Sequence, residues 1–120
     1  MAFSVEISPQ AFRDLDDLAI YLLERTQSRS VARKWFLSVL DSIDSLSTLP
    51  ERHPVVALAE PDVEIVRLLT HGRRNRKYKI YYCVRKRSPS SGIVSVFHIR
   101  HWARRPVSAN ELQALRHENL

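Results

Sequence analysis

At 120 residues, 44% of them hydrophobic, the chain has the size and apolar content of one domain, residues 1–120, with its own core. Its lone cysteine, Cys83, excludes an intramolecular disulfide framework and a cysteine metal cage, and no apolar run approaches the ~18 residues of a membrane span. Net charge is +6 but unevenly held: residues 1–66 carry six Lys and Arg against eleven acids, residues 67–120 thirteen against two, so −5 meets +11.

The N-terminal Met-Ala-Phe-Ser-Val-Glu lacks the basic and apolar regions of a secretory signal, so a cytoplasmic protein is expected. Phe3, Val5 and Ile7 alternate with Ser4 and Glu6, which predicts a short strand. Ser8-Pro9 then opens a helix, with Ser8 as its cap. Ala11, Leu15, Leu18, Ala19 and Leu22 make its apolar stripe. After a break at residues 27–30, where Ser28 or Ser30 can cap, a second helix runs from Val31 to Leu49 and stops at Pro50. So short a link predicts an antiparallel helical hairpin.

Residues 51–62, with Pro54 and Pro61, read as a loop. Three strands follow at residues 63–70, 76–87 and 93–101, separated by turns at 71–75 and 88–92. Ser108 with Glu111 three residues on is a capping box for a last helix reaching His117. The order β-α-α-β-β-β-α predicts an α+β domain: an N-terminal strand and an antiparallel helical hairpin packed on a mainly antiparallel sheet.

Parity assigns Tyr78, Ile80, Tyr82 and Val84 to the core face of the middle strand, and Lys79, Tyr81 and Arg85 to an outward row. Around that row stand Arg73, Arg74, Arg76, Lys77, Lys86 and Arg87, with no acid between residues 73 and 87. Cations interleaved with tyrosines suit nucleic acid, because ammonium and guanidinium groups take phosphates while rings stack bases. A second basic cluster, His98 to Pro106, holds Arg100, His101, Arg104 and Arg105. Arginine stabilises charge on a phosphate, and a histidine with pKa ~6.5 moves protons near neutrality. Such a set could support metal-independent cleavage of RNA through its 2′-hydroxyl. His98, in step with Val94 and Val96, reads as structural. No ligand spacing among the five histidines and no glycine-rich loop calls for a metal or another cofactor.

Four segments, Ala11–Leu22 (AFRDLDDLAIYL), Leu46–Pro50 (LSTLP), Tyr78–Val84 (YKIYYCV) and His98–Pro106 (HIRHWARRP), occur in this order. Together they resemble the RelE/ParE superfamily of type II toxin–antitoxin toxins, also called plasmid stabilisation proteins. The resemblance implies a growth-arresting toxin neutralised by a cognate antitoxin whose acidic or amphipathic tail wraps the basic face. One branch cuts ribosome-bound mRNA without a metal, using scattered basic residues and a C-terminal tyrosine. By motif position Lys79 and Arg104 match its basic residues, and Arg67 roughly matches another. Residues 107–120 contain no tyrosine, which leaves His101 as the proton-transfer candidate. The other branch inhibits DNA gyrase by binding, without catalysis, and the helical hairpin and the H-x-R-H-x-A-R-R-P ending lean towards it. A basic RNA- or DNA-binding module without toxicity, or a degenerate toxin, is the competing reading.

Overall fold

Alternating Phe3, Val5 and Ile7 form β1 (Ala2–Ile7) in the computed structural model, which describes residues 2–56, 65–72, 77–102 and 108–119. Ser8 caps α1 (Pro9–Thr26): its hydroxyl accepts the Ala11 N–H at 3.1 Å, and Pro9 sits in the first turn, where no N–H partner is needed. The helix ends at Gln27, whose left-handed backbone (φ 54°) sends its N–H to the Leu23 carbonyl at 2.8 Å. Ser28 immediately caps α2 (Arg29–Asp44) by accepting the Val31 N–H at 3.2 Å. The second helix is shorter than its apolar pattern predicts. It gives way to 3₁₀ turns at Ser45–Ser47 and Pro50–Arg52. The carbonyls freed there are gathered by the Arg52 guanidinium, which takes donor bonds to those of Ser45, Thr48 and Leu49.

The expected loop contains a two-residue strand, β2 (Val55–Val56), paired antiparallel with β3 (Val66–His71). β3 pairs with β4 (Tyr78–Ser88), and β4 with β5 (Ser91–His101), both antiparallel. The sheet order is β1-β5-β4-β3-β2, and β1 alone pairs in parallel, against residues 91–96 of β5. Ser108 caps α3 (Ala109–Asn119), accepting the Glu111 N–H at 3.1 Å. The predicted α+β arrangement therefore holds, with β2 added to it.

The sheet is covered on both faces. On the helical-hairpin side Leu15, Val39, Ile43 and Leu46 pack with Ile80, Tyr82, Val94, Val96 and Ile99. On the other side Val66, Tyr81, Cys83 and Phe97 meet Leu112 of α3. This corrects the outward row: Tyr81 is only 4% exposed and its neighbour Cys83 1%. A sheet covered on both sides needs apolar residues on both, so alternation no longer marks inside from outside. The β4–β5 register also shifts between Tyr81, opposite His98, and Tyr82, opposite Val96, leaving Phe97 as a bulge.

The start of β5 tolerates only glycine at position 92. Its φ is 157°, and a Cβ there would lie 2.1 Å from the Arg85 carbonyl oxygen, a backbone atom that cannot swing aside. Gly92→Ala is expected to lower stability by more than about 1 kcal/mol, because the native conformation rejects the added methyl group. Urea unfolding should show a lower midpoint at unchanged slope, and a wild-type midpoint would refute the clash.

Candidate nucleic-acid interface

The β4–β5 ladder sorts the basic end of the sheet into two faces. Tyr78 lies opposite His101, and Lys79 opposite Arg100. One step further, the Trp102 N–H donates to the Lys77 carbonyl at 2.8 Å. Tyr78 belongs to the helix side: its ring centroid is 5.0 Å from that of Trp35 on α2 and 5.0 Å from that of His101. Alternation then turns Lys77, Lys79, Arg100 and Trp102 to the opposite face. There Trp102 is 46% exposed, with the Lys79 Nζ 4.6 Å and the Lys77 Nζ 5.3 Å from its ring centroid. Each cation–π contact at such a site is worth about 0.5–1 kcal/mol, enough to bias both ammonium groups towards the indole. Arg100 lies deeper on this face, 8% exposed.

The sequence candidates separate accordingly. Lys77, Lys79 and Arg100 come together. Lys79 and His101, expected to serve one phosphate as cation and proton carrier, sit on opposite faces with the sheet between them. Arg67 is engaged in the fold: its Nη1 donates to the carbonyls of Glu51 at 2.9 Å and His53 at 2.8 Å, pinning the segment before β2. Tyr81 is buried and stacks on His98, centroids 5.8 Å apart and planes 22° apart. Burial pushes its phenol pKa up, against the pull of the Arg100 charge. Arg73, Arg74, Arg76, Arg104 and Arg105 lie outside the described residues. Trp102 is the member that the sequence did not single out. Only the register shows that it follows the strand end onto the cationic face.

His98 is structural, as expected, though the bulge turns it to the face opposite Val94 and Val96. Its Nδ1 meets the Asp14 Oδ2 at 2.9 Å, and the same oxygen accepts the Ile99 N–H at 3.0 Å. β1 pairs no further than Val96, so the edge of β5 beyond it is open, and Asp14 reaches from α1 to close it. Burial raises the Asp14 pKa, but the bonds from His98, the Ile99 N–H and the Gln10 amide outweigh it and hold the carboxyl below its ordinary range.

On the helix side, His71 at the end of β3 is held between Ser38 and Ser42 of α2. The Ser38 hydroxyl donates to the Trp35 carbonyl at 2.8 Å, so it accepts from His71 Nε2–H at 3.1 Å, and Nδ1 accepts from Ser42. Burial lowers the His71 pKa, which favours the neutral ring. Compared with known protein families, with curated proteins and with solved structures, the chain matches none.

The Asp14 contact has a pH signature. A carboxylate with a depressed folded pKa contributes stability fully above its unfolded pKa, ~3.9, and loses it as pH falls through the lower folded value. Asp14→Asn should therefore cost about 1–3 kcal/mol at neutral pH, where a buried bonding partner is weakened. It should also flatten the fall in stability below about pH 4. Melting temperatures across the acid range test this, and an acid limb as steep as that of the wild type would count against it.

Proposed function

We propose that the chain is the toxin of a type II toxin–antitoxin module, a cytoplasmic protein that arrests growth by acting on ribosome-bound mRNA. The observation that carries this reading is the exposed Trp102 with Lys77 and Lys79 against its ring, within the positively charged half of the chain. An indole face stacks an unpaired base, and ammonium groups beside it take the flanking phosphates. The four segments that resemble RelE/ParE toxins add the expectation of growth arrest. In this reading Lys77 and Lys79, backed by Arg100, supply charge stabilisation at the phosphate. His101 takes no part, because it opens on the other face.

A neutralising partner also fits the helical hairpin. Ile20 and Leu37 are exposed large apolar residues lining a groove with Leu23 and Phe36 between α1 and α2. Such an apolar surface, continuous along two helices, suits the amphipathic tail of an antitoxin. The separation of Lys79 from His101 favours a second reading in which the toxin inhibits DNA gyrase by binding alone.

Induced expression is expected to halt growth, with transcripts cut by the purified protein only when ribosomes are present. Lys79→Ala and Trp102→Ala should each reduce cutting about tenfold or more with the fold intact, the worth of one phosphate or stacking contact. Intact transcripts beside arrested supercoiling would transfer the proposal to gyrase. Harmless expression would refute any toxin and leave a nucleic-acid-binding module whose affinity falls steeply with salt.

A further inference from the structure

On the side of the sheet away from Lys79 and Trp102, a cavity of about 730 Å³ lies between the closed end of the helical hairpin and the end of the sheet. Five rings from five elements line it: Tyr21 of α1, Trp35 of α2, His71 of β3, Tyr78 of β4 and His101 of β5. Three of them are in contact through Tyr78: its centroid is 5.0 Å from that of Trp35, with the planes 57° apart, and 5.0 Å from that of His101, edge to face at 84°. Rings normally converge to fill a core, but these five surround open volume. The two ring nitrogens of His71 are already held by Ser38 and Ser42, so its contribution to the cavity is the carbon surface of the ring.

The charge of the lining narrows the ligand. Arg25 stands at the rim, its guanidinium donating to the Tyr21 hydroxyl at 3.1 Å and centred 5.7 Å from the Tyr21 ring. No Asp or Glu lines this cavity among the described residues. Aromatic faces and edges with a guanidinium at the mouth suit a ligand that is flat, aromatic and anionic. The volume falls within the ~300–1,000 Å³ of small-molecule sites and exceeds what a single side chain would fill.

We propose that this cavity binds a nucleoside monophosphate unit, with the base among Tyr21, Trp35, Tyr78 and His101 and the phosphate at Arg25. The unit is either a free nucleotide or one residue of a single-stranded RNA. The site is separate from the cationic face and stands whether or not the chain is a toxin. Tyr21 and Arg25 are the contacts to vary: they lie on the exposed side of α1, and neither belongs to the buried core.

The chain has two tryptophans, so Trp102→Phe leaves Trp35 as the sole indole reporter of the cavity. In that background the 5′-monophosphates of adenosine, guanosine, cytidine and uridine are titrated against Trp35 fluorescence, with inorganic phosphate as control. Saturable quenching is expected, stronger for the two purines because their stacking area is larger, and none for phosphate alone. Arg25→Gln and Tyr21→Leu should each weaken binding about tenfold with melting temperature unchanged. Displacement of the nucleotide by a single-stranded oligoribonucleotide would identify the unit as part of an RNA chain. Binding without displacement would identify a free nucleotide. The proposal is overturned by an absence of saturable quenching up to about 10 mM, or by quenching that both variants leave unchanged.

Discussion

The eleven residues of β4 and the eleven of β5 form one antiparallel ladder, and the extra residue inserted at Phe97 governs which side chains meet along it. Without the bulge, His98 would continue the series Val94 and Val96 into the apolar layer beneath the helices. An imidazole there, among Leu15, Val39 and Ile43, would have to be desolvated without a partner. The inserted residue sends Phe97 to the α3 side and returns Ile99 to the helix side. His98 is left beside Tyr81, within reach of Asp14 around the open edge. The same phase, carried three residues further, sets Lys79 with Trp102 on one face and Tyr78 with His101 on the other.

Asp14 shows how the edge of such a sheet is managed. β1 covers β5 only as far as Val96, and a strand edge left bare beyond that point would offer unpaired N–H and C=O groups to other chains. One carboxylate oxygen on α1 takes both the Ile99 N–H and His98 Nδ1, tying the helical hairpin to the sheet where the parallel pairing ends. The helix cap at Ser8 and this contact lie six residues apart on α1, so the helix is fixed to the sheet at two points along its first half. The entry angle of the hairpin, and with it the cavity lined by Tyr21 and Trp35, follows from those two anchors.

Much of the fold was legible because local chemistry and periodicity agreed. Ser8-Pro9, Ser28 and Ser108 start the helices where their hydroxyls accept N–H groups, and β1, β3, β4 and β5 fall on the β-branched and aromatic runs. What failed was long-range. The pattern of α2 continues past Asp44, but the carbonyls gathered by Arg52, seven residues away from Ser45, end the helix early. Burial of Tyr81 and Cys83 depends on α3 crossing a face that parity alone treats as solvent. The division of Lys79 from His101 was hidden for a simpler reason: they belong to different strands, and their relation exists only through register. Arg67 reads as one more surface cation until the Glu51 and His53 carbonyls are found at its tip.

Charge asymmetry gains a physical location from this arrangement. The Lys79 and Lys77 ammonium groups share one indole, 4.6 and 5.3 Å from its centroid, and like charges gathered there repel each other. The ring quadrupole offsets part of that repulsion. On the far face Tyr78 is in ring contact with both Trp35 and His101, and Arg25 supplies a cation at the mouth of the cavity they line. The two faces at this end of the sheet therefore differ: ammonium groups on an indole on the Lys79 side, aromatic rings in contact on the His101 side. A residue-by-residue reading of the basic half as a single site merges these faces, and the ladder between β4 and β5 keeps them apart.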